Sequence, residues 1–369
     1  VSALRLLQLQ LVNFRSYSHL TWDCHSGLNI ICGPNAAGKT NLLEAIGYLA
    51  VARSFRQQLD QQLLAWGATS FQIKGLCLSY DDEVEIFISY QQHNKGLTIN
   101  GIRSRLMELL GVFPGIYFGP DDLNLIKGGP SQRRQFLDRE ISMGDRLYCR
   151  SLQEYRRILL QRNLLLRALK AGRGKAAELE PWDIQLLQAG QRIMAKREGF
   201  LQALEPLAAD LFQKMAGGEK LALTYRPGVG DRQEWEDRLQ SGREREIQAG
   251  MTLFGPHRDD FSVTFSGHEA RYFASQGQQR TMVLALKLAE ARYYREMLGV
   301  MPVLLLDDVF SELDDQRQQA LLELLAVADQ AFLTTTEISL LPERLIKQAS
   351  IWALSRGGEP RLISGPDGK

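Results

Sequence analysis

The sequence predicts an α/β domain built around a phosphate-binding loop, with a mainly helical lobe inserted into it. Four observations carry this prediction. Gly33-Pro34-Asn35-Ala36-Ala37-Gly38-Lys39-Thr40 fits the pattern G-x-x-x-x-G-K-[ST]. It lies between an apolar strand-type run at 28–32 and a helix-type run at 41–49. Downstream, the apolar run 303–306 ends in two acids, Asp307 and Asp308. Between these, from about Pro130, apolar residues recur at helical spacing. The expected boundaries are 1–125 for the N-terminal part of the α/β domain, 126–248 for the lobe and 249–369 for the C-terminal part.

Residues 1–6 read as a strand and not as a signal peptide, and Val1 in place of Met suits a GTG start codon in a bacterial gene. Strands are expected over 4–14, 19–32, 71–78, 84–90 and 97–101, the last closed by the turn pair Asn100-Gly101. In the loop, glycines let backbone N–H groups converge on a phosphate, and the following helix adds the partial positive charge of its N-terminus. Lys39 reaches the β- and γ-phosphates of a nucleotide in such a loop, and Thr40 holds Mg²⁺. Beyond the first helix, Arg53 and Arg56 are placed to meet nucleotide or DNA.

In the lobe, Leu152, Tyr155, Leu159, Leu166 and Leu169 form a helical stripe, and Arg146, Arg150 and Arg157 share another face. Residues 182–212 continue in helical pattern, with Gly172-Arg173-Gly174 separating two antiparallel helices, and 234–247 reads as a short charged helix. Net charge is +1, yet it is unevenly placed. Residues 127–175 hold 13 Lys and Arg against 4 Asp and Glu, and the rest of the chain holds 31 against 39. A concentrated basic segment suits contact with nucleic-acid phosphates.

Past residue 251 the α/β pattern resumes. A strand is expected at 261–265 and a long helix over 280–298 opened by Ser275-Gln276-Gly277-Gln278-Gln279. The strand 303–306 follows, then a helix capped by 311–314, then strands at 331–334 and 351–354. An acid ending a buried strand downstream of a phosphate loop is the Walker B arrangement. Asp307 then holds Mg²⁺ directly or through water, and Asp308 is the base that polarises the attacking water. Ser275-Gln276-Gly277-Gln278 places a hydroxyl and a glycine at a helix N-terminus, a second anion site. One chain needs one phosphate loop per ATP, so a second site has a use if it completes the nucleotide site of a partner chain. Ser275 stands 32 residues before Asp307, room for one helix and one strand, as in the signature of an ABC-type ATPase dimer.

Composition excludes little but points one way. With 44% hydrophobic and 24% charged residues the chain can bury a full core. No apolar run approaches the ~18 residues of a membrane span. The four cysteines are scattered, without C-x-x-C, which argues against zinc and disulfides and for a reducing, cytoplasmic compartment.

The chain resembles the RecF family of recombination and repair ATPases, relatives of the SMC heads, over nearly its whole length. The resemblance rests on residues 13–17, 33–40, 119–123, 129–138, 161–165, 255–260, 275–280 and 305–314. Of these, Gly-Pro-His-Arg-Asp-Asp (255–260) and Arg-Arg-Gln-Phe-Leu-Asp (133–138) are the most specific. It implies an ABC-type, SMC-head-like fold, with ATP and Mg²⁺ as cofactors. The nucleotide would be held by residues 33–40, Asn41, Arg15 and, from a partner chain, residues 275–278. It also implies an ATP-dependent homodimer that grips DNA, double-stranded and at single-stranded gaps, through residues such as Arg56, Arg146, Arg150 and Arg157. RecR and RecO would be its partners, RecA loading in damage repair, the SOS response and replication its task, and weak DNA-dependent ATP hydrolysis its release step. The chain departs from the wider ABC pattern in having Thr334-Thr335-Thr336 where a switch histidine is usual and Asp308 where a glutamate is usual. Asp121 or Asp122 stands where other ABC enzymes have the Q-loop glutamine, and Ser54-Phe55-Arg56 replaces the family's Ser-His-Arg. An ABC transporter subunit is the alternative, but it gives the basic lobe no purpose. A long-armed SMC bridge is excluded, because a ~25-residue helix reaches only ~38 Å.

Overall fold

The computed structural model describes residues 3–56 and 59–366, the side chain of Glu312 excepted. Val1 and Ser2, expected to open the first strand, lie outside the described residues, as does the Glu312 side chain within the expected cap. The chain forms two compact units. The first comprises residues up to Asp122, Lys214–Gly217 and the residues from Thr281 on; the second comprises Leu123–Gln213 and Gly218–Arg280.

The first unit opens with β1 (Leu4–Phe14), β2 (Tyr17–Asp23) and β3 (Gly27–Cys32). It continues, after the helix Lys39–Val51, with β4 (Ser70–Ser79), β5 (Asp82–Gln91), β6 (Asn94–Ile99), β7 (Ile102–Arg103) and β8 (Gly115–Phe118). The run 19–32, expected as one strand, is two. The Asn29 side chain accepts from the His25 N–H at 3.2 Å and donates to its carbonyl at 2.7 Å, which folds the chain between β2 and β3. In the second unit lie β9 (Leu221–Arg226), β10 (Asp260–Phe265) and β11 (His268–Glu269). The first unit closes with β12 (Val303–Asp307), β13 (Gln330–Thr335), β14 (Ala349–Ala353) and β15 (Arg361–Ser364).

Two six-stranded sheets make up the first unit. One is antiparallel, in the order β2-β1-β4-β5-β6-β7. In the other, β15-β14-β3-β13-β12-β8, every neighbouring pair is parallel except β14–β15. Alternate residues of β1 (Leu4, Leu6, then Leu9 and Leu11) are buried, the phase shifting at a bulge between Leu6 and Gln8. Gln330 on β13 accepts from the Leu6 N–H at 2.7 Å and donates to its carbonyl at 2.9 Å, so an otherwise unpaired peptide of β1 is satisfied inside the core. Trp22 packs edge-on against Phe332 and Trp352, at ring distances of 5.5 and 5.4 Å.

The second unit holds the helices Pro130–Gly144, Arg146–Lys170 and Glu180–Met215 (up to Gln213) with the antiparallel sheet β11-β10-β9. It extends further than the expected lobe. Residues 249–280, assigned from the sequence to the α/β domain, pack here because β10 pairs with β9 from Asp260↔Arg226 to Phe265↔Leu221. The charged stretch 234–247 is two helices, Arg232–Ser241 and Arg243–Ala249, parted at Gly242.

The family-specific motifs build the polar interior of this unit. Arg162 donates to Asp183 (2.7 Å), Thr252 (2.8 Å) and Glu246 (2.6 Å). Burial works against its charge, and Glu246 and Asp183 more than offset this, holding its pKa above the ordinary arginine value. Arg197 reaches Asp259 (2.6 Å) and Asp138 (2.7 Å), and Arg133 grips Asp260 with two bonds of 2.6 and 2.9 Å. His257 accepts from the Tyr155 hydroxyl at Nδ1 (2.7 Å) and donates from Nε2 to the Thr252 carbonyl (3.1 Å). Burial, reinforced by Arg258, Arg134 and Arg162, pushes its pKa from 6.5 down to about 4. The unfolded chain therefore binds the extra proton first as pH falls. The stability held by neutral His257 is complete above pH 6.5 and is lost between there and about 4. The unfolding free energy from urea titrations between pH 7.5 and 5 should fall with a slope of up to about 1.4 kcal/mol per pH unit from this group. A His257→Gln chain should be less stable at pH 7.5 and show a flatter slope; an unchanged slope would remove His257 from the titration.

Candidate nucleotide site

The sheet order places the phosphate loop. β3 runs between β13 and β14, and β13 in turn pairs with β12, so the C-terminal ends of β3, β13 and β12 stand side by side. Ligands of open α/β sheets bind outside such ends. At the exit of β3, a Cβ on Gly33 would lie 2.2 Å from the Leu354 carbonyl oxygen, so no side chain fits. Gly38 has φ 110°, and a Cβ there would meet the Tyr17 hydroxyl at 2.7 Å and Ser16 Oγ at 2.9 Å. The β1–β2 turn thus braces the loop. Tyr17 donates to the Gly38 carbonyl (3.1 Å), and Asn41 donates to Ser16 Oγ (2.9 Å).

The helix Lys39–Val51 begins without a side-chain cap and without an acid in its first turn. Its N-terminal N–H groups are left for an anion. Lys39 Nζ donates to the carbonyls of Gly33 (2.6 Å) and Pro34 (3.0 Å), which curls it over the loop. Burial pushes its pKa below the ordinary lysine value, opposed by the Asp308 and Asp307 carboxylates. The exposed tip of the loop is Pro34-Asn35-Ala36, and Ala37 is buried beneath it.

Thr40 and Asp307, 267 residues apart, meet here: Thr40 Oγ1 donates to Asp307 Oδ1 at 3.0 Å. Thr334 donates to the same oxygen (2.7 Å) and Tyr117 to Oδ2 (3.2 Å). Three hydroxyls thus fix the Asp307 carboxylate. Burial raises the Tyr117 pKa, and Asp307, Asp122 and Asp121 raise it further, so Tyr117 stays a neutral donor. Thr334 also accepts from the Asp308 N–H at 3.0 Å, tying together both acids of the pair. Asp308 sits at φ 52°, in the left-handed region, where the chain turns out of β12. The oxygens of Thr40 and Asp307 are hard ligands, close together, and fit Mg²⁺, which takes one or two protein oxygens together with phosphate and water. Tyr117 escaped the sequence reading because β8 is only four residues long and shows no periodicity. Thr334 reads there as the end of a strand and as a departure from the switch histidine.

Arg15 is placed differently from expectation. Its guanidinium makes two bonds to Glu44 (2.8 and 2.9 Å) and one to the Gln62 carbonyl (2.9 Å). Glu44 is fully buried in the first helix and has to be paired, so Arg15 is committed to anchoring that helix. Arg56 is exposed, with Nη1 3.8 Å from the same carboxylate, and Ser54 donates to it as well. Phe55 stacks on Tyr117, ring centroids 3.6 Å apart. Asp122 is buried and accepts from the Gly119 N–H at 2.8 Å, whereas Asp121 is exposed.

In the second unit, Ser275 and Gln278 form a reciprocal capping box. Ser275 Oγ accepts from the Gln278 N–H at 3.2 Å, and Gln278 Oε1 accepts from the Ser275 N–H at 2.9 Å. Ser275 and Gln276 are exposed at the start of the helix Gln276–Leu298, with Gly277 half-buried behind them. Arg146, Arg150 and Arg157 are all exposed on the helix Arg146–Lys170. Arg150 and Arg157 make no ion pair among the described residues, whereas Arg156 between them in sequence is held by Asp138 at 2.9 Å.

The family model described as the RecF/RecN/SMC N terminal domain matches residues 5–344. A DNA replication and repair protein RecF of Moorella thermoacetica is 74% identical over 364 residues, 99% of this chain and 98% of that one. The chain belongs to the RecF family. A RecF of Halalkalibacterium halodurans is 38% identical over 361 residues, 95% of this chain and 97% of that one. Among solved structures, a recombination mediator RecF-ATP of the RecFOR pathway superposes with TM-score 0.91 at 34% identity, covering 98% of both chains. An Smc head of Pyrococcus furiosus, bound to the C-terminal domain of ScpA, superposes with TM-score 0.55 at 17% identity, covering 98% of this chain and 96% of that one. This RecF-family chain thus has the ABC-type, SMC-head-like ATPase fold. Among its described residues no helix is long and apolar enough to cross a membrane.

Proposed function

We propose that the chain is an ATP-dependent DNA-binding switch of recombinational repair and replication. The observation that carries the reading is the meeting of Thr40 and Asp307 beneath a phosphate loop with an uncapped helix start. The full-length likeness to a RecF-ATP structure of the RecFOR pathway supports it. In this reading residues 33–41 hold the triphosphate and Lys39 swings from its loop carbonyls to the β- and γ-phosphates. Thr40 and Asp307 hold Mg²⁺, which when bound neutralises charge on the phosphates. Asp308, fixed through its N–H by Thr334, orients and polarises the attacking water. Ser275 and the N–H groups of residues 276–278 complete the site of a second copy, so that ATP closes a homodimer and hydrolysis opens it. The closed dimer grips DNA through Arg150 and Arg157, with Arg146 and Arg56 contributing, near single-stranded gaps. RecR and RecO are its proposed partners in loading RecA, in the cytoplasm. The replication and repair names of its relatives favour this over a transporter subunit.

Sedimentation of Asp308→Asn with Mg-ATP or ADP, with and without a gapped duplex, tests the reading. The variant should bind ATP and hydrolyse it slowly, so the closed state accumulates. The expected result is a dimer with ATP only, which co-sediments with the duplex. A monomer under every condition would sink the clamp. Adding Arg150→Glu and Arg157→Glu should weaken DNA binding and reduce the slope of log K against log salt by about 2, one unit per lost phosphate contact. An unchanged slope would move the DNA surface elsewhere.

A further inference from the structure

In the first unit, Trp66 is fully exposed, yet the backbone that carries it is tightly held. The Arg15 N–H donates to the Leu63 carbonyl (2.7 Å), the Ala65 N–H donates to the Asn13 carbonyl (2.9 Å), and Leu63 is buried. Arg15 Nη1 adds its bond to the Gln62 carbonyl. Beyond Ala65 the chain reverses. The Ala68 N–H donates to the Ala65 carbonyl at 3.0 Å, and Gly67, at φ 78°, takes the left-handed position of a type II turn. Trp66 is the first corner of that turn. An indole left in water forfeits the burial energy of one of the largest apolar side chains. A fixed backbone under it means that a ligand meeting the ring orders little that is not already ordered.

The neighbours of the turn indicate what meets the ring. Asn13, bonded to Ala65, stands three residues before Ser16. Ser16 and Tyr17 brace the phosphate loop at Asn41 and Gly38. A nucleotide held there by its phosphates leaves its base to be met at the margin of the loop. Three rings at the site are already engaged: Tyr17 is buried and bonded to Gly38, Tyr117 is bonded to Asp307, and Phe55 is stacked on Tyr117. The exposed tip, Pro34-Asn35-Ala36, has no aromatic ring. We propose that Trp66 is the platform on which the base of the bound ATP stacks, an inference that rests on the nucleotide site proposed above. A single ring flanked by Ala65, Gly67 and Ala68 offers a flat face to another ring, and not the contiguous apolar patch that a protein partner covers. Stacking engages the face of a base and not its edge, so the platform adds affinity without itself selecting adenine.

Calorimetric titration of the full chain with ATP and with inorganic tripolyphosphate, each with Mg²⁺, tests this, because the second ligand has the phosphates and no base. Trp66→Ala should raise the dissociation constant for ATP about tenfold and leave that for tripolyphosphate within about twofold. Trp66→Phe keeps a ring and should recover most of the loss. The side chain is exposed, so neither change should lower thermal stability. ATP, but not tripolyphosphate, should quench tryptophan emission more in the unaltered chain than in Trp66→Phe. An unchanged ATP affinity in Trp66→Ala, with both ligands binding, would overturn the stacking and leave the phosphate loop standing. Equal losses for both ligands would overturn it as well, since they would mean a distorted loop. If the unaltered chain binds neither ligand, the nucleotide site itself falls and the platform with it. Weaker binding of a short single-stranded oligonucleotide by Trp66→Ala, with ATP affinity unchanged, would assign the ring to DNA bases instead.

Discussion

Replacing Lys39 with alanine is expected to lower ATP affinity about 100-fold or more, roughly 2.8 kcal/mol of charge-assisted bonding to the triphosphate. The lysine is poised for this. Its ammonium already lies over the loop, on the carbonyls of Gly33 and Pro34, in a setting that burial makes unfavourable for a charge. A triphosphate relieves that penalty, so nucleotide binding and full protonation of Lys39 should support one another. Equilibrium binding of a fluorescent ATP analogue checks the loss. Pro34 is exposed at the loop tip, where its carbonyl can turn to water, so thermal stability without nucleotide should change little. An affinity within threefold of the unaltered chain would show that the loop does not hold a triphosphate.

Ser275→Arg is expected to abolish ATP-driven dimerisation while leaving nucleotide binding by the single chain intact. The substitution has two effects, which a second variant separates. Ser275 is the cap of its helix, and losing that bond costs about 1 kcal/mol. Ser275→Ala loses the same cap but adds no bulk. It should therefore show the same small drop in stability and still dimerise, with affinity reduced several-fold. Arginine would occupy the space a partner's γ-phosphate needs. Analytical ultracentrifugation with Mg-ATP distinguishes the two. Normal dimerisation of Ser275→Arg would place the second phosphate site elsewhere and leave residues 275–278 as a structural cap alone.

Much of the site was legible because it is local. Strand, glycine loop, Lys39 and helix follow one another within some twenty residues, and the geometry of such a unit is set by its own backbone. The pairing of Thr40 with Asp307 could also be read, since two strand ends in one parallel sheet have few places to be. What could not be read depends on partners far away in sequence. Arg15 figures as a nucleotide ligand in the family resemblance alone. Only the packed structure shows that Glu44, buried on the first helix, claims it. The boundary of the second unit was missed for a similar reason. Strand β10 resembles any half-buried strand, and its attachment to β9 is a matter of which edge was open. The motifs at 133–138 and 255–260 carried the family resemblance without disclosing a role; the structure shows that Arg133, Asp138, His257, Asp259 and Asp260 are the polar interior of the second unit.

The position of β3 has a consequence for biosynthesis. The strand that leads into the phosphate loop is among the first made, yet both its neighbours, β13 and β14, are among the last. At about 5–20 residues per second, roughly 15 to 60 s of translation separate them. Throughout that interval β3 carries two unpaired edges and has nothing to lie between. The second unit, by contrast, is fully synthesised once Arg280 has emerged. A chain that ends before β13 therefore lacks both strands between which β3 and its phosphate loop are held.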